Sequence, residues 1–410
     1  MWKRPWGVGE GISVCCGLVV VGLVLQLCVG SIDWSLFARP FNFIVLATYV
    51  LALVVLYAVR RHIYFVAWSL TYGAAVPSIA FVAVVTLLMG LIRQEPNVGR
   101  SVAEAVHDML SFWPFVLLYI WMATIVGWVV LKNVFAFSWR KFPALLNHSG
   151  LFVALVCATL GSADMKRVTL TSTMGQPEWR AMDEAGRIQE LPLAIELEDF
   201  TIEEYPPKLM LIDNFSGKAL PEGLPEQMVL EEGISTEKIA GWEIHLTEML
   251  ETAAPTATRD SVHYIHWPSM GATNAAHLEA VNLQSGEKRS GWVSNGSFLF
   301  PYQSLHLDSL TSLVMPERDP RKYLSHVKIY TQSGTITETD IEVNKPAKAE
   351  GWKIYQLDYD RDKGRWSTVS VFELVKDPWL PAVYAGIVLM LLGAILLFVT
   401  SSGSRKEEKL

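Results

Sequence analysis

The sequence predicts an integral membrane protein of about six α-helical spans that carries a mainly antiparallel β-rich domain outside the cytoplasm. Three observations carry that expectation. Six apolar runs, at 11–30, 43–59, 74–92, 112–131, 145–162 and 380–400, are 17–21 residues long, enough to cross a hydrocarbon core of about 30 Å. The 51% hydrophobic content, positive mean hydropathy and 15 tryptophans are too apolar for an ordinary soluble domain. Charge is segregated. Residues 164–377 hold 34 acidic and 21 basic residues, a net of −13, and the remainder nets +6. No basic patch of the kind that grips nucleic acid stands out.

The N-terminal MWKRPWGVGEG leads into the first run with no convincing small-x-small cleavage site, so it reads as an uncleaved span. The stretch before the third run, Tyr64–Gly73, is also apolar, and Pro77 is placed to kink that span near its start. Residues 93–111 read as a short external loop with a surface helix around Val102–Leu110. The fifth run continues to Asp164 and joins the membrane half to the large polar part. Lys3, Arg4, Arg60, Arg61, Lys132, Arg140, Lys141, Arg405, Lys406 and Lys409 fall on one side. The short loops of the other side carry only Arg39, Arg93 and Arg100. Ten against three places both termini in the cytoplasm. The expected organisation is a membrane domain of five spans at 1–163, an extracytoplasmic β-rich domain at 164–377, and a last span with a cytoplasmic tail at 378–410.

Within 164–377, Leu191–Asp199 alternates apolar and polar, as does Val327–Val343 around Gln332-Ser333-Gly334. Trp352–Tyr359 and Trp366–Leu374 flank DRDKGR, a hairpin signal. Helical periodicity is scarce, and a β-sandwich or a pair of sheets is expected.

Function is constrained as much by what is missing. Cys15, Cys16, Cys28 and Cys157 all lie in apolar runs, so the outer domain has no disulfide or thiol chemistry of its own. There is no Cys-x-x-Cys-His to hold haem covalently, and HEXXH, Walker A, GxSxG and GxGxxG are absent. His263 and His266 are the obvious metal pair, but a spacing of three on a strand sends the rings to opposite faces. His245, His277, His306 and His326 are scattered without ligand spacing. The pairs Glu203-Glu204 and Glu231-Glu232 read as solvated faces, and Trp113 and Trp121 as belt and packing residues. No catalytic residue is assigned.

His148 stands apart. It is an ionisable residue in the first turns of an apolar span, where such residues are costly and mark function. At 100° per residue, Gly150, Ala154, Ala158 and Gly161 share one side, suited to close helix packing. His148 falls opposite, with Phe152, Leu155 and Thr159. At 1.5 Å per residue it lies about 20 Å from Ser162, in the half-membrane away from the outer domain. The alternative is an interfacial histidine that caps or snorkels.

Four stretches together resemble the ResB (Ccs-type) family of cytochrome c biogenesis proteins. They are NHSGLFVALVCATLGSAD at 147–164, LPLAIELEDFTIEEYP at 191–206, VNKPAKAEGWKIYQLDYD at 343–360 and VKDPWLPAVYAGIVLMLLG at 375–393. Five spans precede the outer domain here, where the commoner family layout has three. The resemblance implies a bacterial inner-membrane protein that works with a CcsA-type partner carrying a tryptophan-rich WWD segment. The pair would move haem b, bound transiently and non-covalently, to the outer face for attachment to apocytochrome c. The family's membrane histidine, an axial ligand of the haem iron, maps onto His148. No WWD-like segment is present, so the chain would be a non-catalytic or co-catalytic subunit of the haem lyase, with the second axial ligand left to the partner. Nothing points to His62 as that ligand. Arg60 and Arg61 read first as topology and lipid-phosphate residues, with haem propionates as the alternative. Two other classes compete: a membrane-anchored sensor or binding protein with an external β-domain, and a b-type haem or quinone redox subunit. The second of these calls for two membrane histidines on facing helices, and only His148 sits clearly within a span.

Overall fold

A computed structural model describes residues 2–95, 101–231, 236–257 and 262–407, with side chains to residue 400. Arg100 and Lys409 of the charge count, the side chains of Arg405 and Lys406, and Glu232 lie outside the described residues. The chain divides into two compact units, Met1–Lys166 with Asp377–Leu410, and Arg167–Lys376.

The first unit is helical: α1 (Val8–Val29), α2 (Phe41–Ala58), α3 (Tyr64–Ser69), α4 (Tyr72–Leu91), α5 (Val102–Ala105), α6 (Trp113–Phe135), α7 (Phe142–Gly161) and α8 (Leu380–Glu407). Six of these helices among the described residues are long and apolar enough to cross a membrane: α1, α2, α4, α6, α7 with its flanking turns, and α8 to Thr400. The chain is a multi-pass membrane protein. The apolar stretch before the third span is a separate helix, α3. Thr71 takes an extended backbone (φ −104°, ψ 163°) that breaks it from α4. Pro77 sits inside α4 and packs on α1, where a methyl on Gly11 would fall 2.7 Å from Pro77 Cγ.

The helix expected around Val102–Leu110 is shorter than its sequence suggests. Ser101 and Glu104 form a capping box for the single turn of α5, and Asp108 (φ −126°, ψ 66°) then leaves helical space. Ala105 and Met109 are buried, so this segment packs rather than lying free on the surface. A core of Leu53, Tyr57, Trp68, Leu118, Trp121 and Trp128 fills the centre of the unit. Trp121 stands 5.3 Å from Phe65, and Trp113 Nε1 donates to Gly30 O at 2.8 Å. Both act in packing, as their sequence context suggests.

The second unit is strand throughout, but neither one sandwich nor a pair of sheets. Among the described residues it holds three sheets, one of eight strands and two of five. The alternating segments fall where the pattern places them: 188–204 pairs antiparallel with 320–331, which pairs with 336–342. Strand 352–359 pairs with 369–376, so the second arm of the DRDKGR hairpin starts three residues later than Trp366, which lies in a 3-10 turn. The eight-stranded sheet rolls up, because side chains from both its ends meet in one core around Leu170, Ile195, Leu197, Val327, Ile341, Ile354 and Phe372. The two five-stranded sheets share a second core around Leu209, Met228, Ile244, Leu278 and Leu313. A third, smaller cluster forms around Ala253, Tyr264, Ala275 and Trp292. The split into separate cores is a tertiary fact: each strand's alternation names the inward face but not the core that face joins.

Candidate functional site

α7 is placed by its two faces. On one, it meets α8 backbone to backbone. A methyl on Gly150 would lie 2.3 Å from Met390 N, and one on Gly386 would lie 2.7 Å from Ala154 N. Gly393 meets Asn147 in the same way at 2.3 Å, and Asn147 Nδ2 donates to Met390 O at 2.8 Å. This is the small-residue face expected from sequence, with Gly161 closing on the Trp379 ring and Ala158 left exposed. The other side meets α2 and α6. Phe152 stacks on Tyr49 at 6.3 Å, and Tyr119 Oη donates to Leu155 O at 3.0 Å.

His148 sits one turn before Phe152 on this second side, half-buried. Its Nδ1 lies 2.7 Å from Ala144 O. A carbonyl can only accept, so Nδ1 carries a proton, and the tautomer this contact selects has its lone pair on Nε2. Nε2 has no hydrogen-bond partner among the described residues. Metal-ligating histidines typically donate their other N–H to such a carbonyl, which sets the ring and raises the basicity of the free nitrogen. The arrangement suits a borderline metal presented from the side of the helix.

The far end of α7 holds a polar knot that the sequence reading did not single out. Asp164 Oδ2 accepts from Trp379 Nε1 (2.7 Å), Asn42 Nδ2 (2.9 Å) and Arg39 Nε (3.0 Å), and Oδ1 accepts from Arg39 N (2.9 Å). Its side chain is 7% exposed. One carboxylate thus ties the start of α2, the end of α7 and the start of α8. The available signals were an acid at the end of one span and Asn42 at the start of another. Arg39 entered the reading only as a topology charge. Asp377 Oδ1 accepts from Trp379 N and Leu380 N at 3.0 Å and caps α8.

The histidines of the second unit do not converge. His263 and His266 lie on one strand, facing Thr256 and Ala253 of its neighbour. His245, His277 and His306 place Nδ1 at 2.6–2.7 Å from threonine or serine hydroxyls. One grouping went unnoticed in sequence: Glu198, His326 and Glu338 bring three ligand atoms within 4.8 Å of one another. Lys328 Nζ bonds Glu198 and lies 3.3 Å from Glu338, so an ammonium already stands where a cation would.

His326 Nδ1 lies 2.7 Å from Asp340 Oδ1, and that hydrogen bond, with the charges of Asp340 and Glu198, holds its pKa above the ordinary value. A raised folded-state pKa gives a stabilisation that is complete below about 6.5 and is lost as pH rises through the folded value. Histidine ring NMR is expected to place His326 above that value, and Asp340→Asn to bring it down. An unshifted ring in the intact chain would remove the network's role.

Residues 279–370 match the model of the ResB-like family. The chain carries a ResB-like region. The match lies within the second unit and includes the 343–360 stretch, while 147–164, 191–206 and 375–393 lie outside it. No curated protein matches the chain.

The structure assigns most of the ResB-like marks to packing. Asn344 (φ 66°) turns the chain after strand 336–342, and Glu350-Gly351 (φ 48° and 78°) make the two-residue hairpin before Trp352. Trp352 and Ile354 are buried. Gln356 Oε1 accepts from Ser325 Oγ (2.6 Å), which lies 2.8 Å from Ser370 Oγ. Tyr359 stacks on Phe200, the phenylalanine of the 191–206 stretch, at 5.2 Å. In that stretch Glu204 lies 3.4 Å from Arg318 and 3.9 Å from Arg365, and burial pushes its carboxyl above the ordinary range against those two charges. The first and last stretches interlock through Asn147–Met390, Gly150–Gly386 and Asp164–Trp379.

Proposed function

We propose that this chain is the membrane subunit of a cytochrome c assembly complex that exports haem and supports its attachment to apocytochrome c. The observation that carries the reading is the division of labour within 147–164. Asn147, Gly150, Gly161 and Asp164 are all engaged in packing or hydrogen bonds, whereas His148 keeps Nε2 unpartnered inside a membrane span. His148 would bind haem b as one axial ligand through Nε2, with Ala144 O fixing the tautomer. Iron held between two imidazoles is stable in a single form, and a CcsA-type partner with a WWD segment would supply the second ligand. The 167–376 unit would then lie outside the cytoplasm of the bacterial inner membrane, where apocytochrome c is met. Within this chain no residue is given a catalytic role. Its part in the lyase is to hold and present the cargo.

The test is retrieval. The chain, tagged and co-expressed with a WWD-bearing CcsA-type protein, is expected to bring down that partner together with b-type haem. Fusions of a compartment reporter within 167–375 should read external. A cytoplasmic reading for that unit would overturn haem export as the function. Retrieval of haem without the partner would favour a b-type redox subunit.

A further inference from the structure

One end of the helical unit holds a basic pocket of about 430 Å³ that the haem reading does not use. Arg4 from the N-terminal segment, Arg60, Arg61 and His62 from the α2–α3 connection, and Lys132 from the last turn of α6 all line it. No carboxylate lines it, and among the described residues none of these four Arg and Lys side chains makes an ion pair. The acid of the N-terminal segment, Glu10, is turned onto the backbone N–H groups of Gly7 (2.9 Å) and Trp2 (3.2 Å).

Two of the cations are held in place. The Arg60 guanidinium lies 3.9 Å over the Tyr57 ring and donates to Tyr57 O at 2.8 Å. The Arg4 guanidinium lies 4.1 Å over Tyr64, whose Oη accepts from Trp6 N at 2.9 Å. A guanidinium stacked on one face keeps its edge donors for a bidentate oxyanion. Positive charge at a helix end follows from topology alone. An open pocket lined by four permanent cations from three separate segments, two of them pinned, goes beyond it.

We propose that this pocket binds an anionic phospholipid headgroup carrying two phosphodiesters, drawn from the leaflet at this end of the bundle. The pocket opens to one side, and its volume exceeds what a single phosphate fills and leaves room for two joined by a glycerol. Basic pockets between membrane helices take such headgroups. The lining matches that chemistry, with Thr71 and Tyr64 beside the cations and the apolar Ala67 and Leu70 beside them.

The experiment is native mass spectrometry of the full chain, released from nanodiscs of phosphatidylcholine with either cardiolipin or phosphatidylglycerol. One retained cardiolipin per chain, preferred over phosphatidylglycerol, is expected. Removing two cations as Arg60→Gln/Arg61→Gln should weaken retention more than tenfold, at about fivefold per cation. Arg60→Lys/Arg61→Lys should weaken it less, because charge persists while the bidentate edge is lost. Arg140→Gln/Lys141→Gln, at the same end but outside the pocket, should leave retention unchanged. Inorganic pyrophosphate in millimolar amounts should not compete. Equal retention of the two lipids, equal loss in the Arg140/Lys141 variant, displacement by pyrophosphate, or displacement by free haemin would each overturn the proposal. The last two outcomes would reassign the pocket to a soluble anion or to haem propionates. A melting temperature in lipid-free detergent that matches the parent chain separates lost binding from lost folding.

Discussion

His148→Ala is expected to lower haem per complex by at least about tenfold, the lower end of what losing a mere supporting partner does to metal affinity, and to halt cytochrome c maturation. The chain should stay folded, because the substitution touches neither of the contacts that place α7. Gly150 and Ala154 still meet Gly386 and Met390, and Asn147 still donates to Met390 O. The side chain removed gives up one hydrogen bond, to a carbonyl of its own helix. His148→Gly should behave alike, with one difference. Added imidazole can enter the larger space and restore the haem spectrum, more readily than in the alanine variant. Full haem occupancy and full cytochrome c assembly in His148→Ala would make His148 a structural residue and remove the basis for the proposed function.

The largest effect on stability is expected at Asp164. Asp164→Ala leaves Trp379 Nε1 without its acceptor, Asn42 Nδ2 with only its longer bond to Leu160 O (3.2 Å), and Arg39 without its counter-charge. Breaking a buried ion pair costs about 3–5 kcal/mol. Arg39 is 52% exposed, so about 2–4 kcal/mol is the expectation here. Asp164→Asn retains one acceptor oxygen and should fall between, while Trp379→Phe removes a single hydrogen bond, worth about 1 kcal/mol. The measurement is thermal unfolding in detergent, followed by accessibility of an engineered Leu380→Cys, which should rise as the helix ends separate. An Asp164→Ala chain that melts with the parent would show that the knot contributes nothing.

The knot and His148 differ in how visible they are along the chain. A histidine in an apolar run announces itself, because the cost of placing an imidazole in hydrocarbon depends on local composition. Asp164 does not. An acid at a span end is ordinary, and its role appears only when Asn42, Arg39 and Trp379, up to 215 positions away, are brought to the same two oxygens. The basic pocket has the same character. Arg60 and Arg61 count as topology charges in sequence, and they become a site only when Arg4 and Lys132 close the other walls.

What the sequence determined by itself is what rests on short-range pattern. The six spans follow from run length and hydropathy, the inward faces within 191–199 and 327–343 from alternation, and the hairpin joining 352–359 to 369–376 from the turn residues of DRDKGR. The Gly150/Ala154 packing face and the opposite placement of His148 follow from helical geometry alone. The tertiary structure decided which partners those faces meet: α8 for the small residues of α7, α2 and α6 for Phe152 and Leu155. It decided that α3 breaks away before α4 and that the described strands form three sheets around separate cores. Which ring nitrogen of His148 is left open is by contrast set locally, by Ala144 O one turn back on its own helix. Periodicity tells a residue which way to face, but the free energy of what it meets there comes from chain segments that no local window contains.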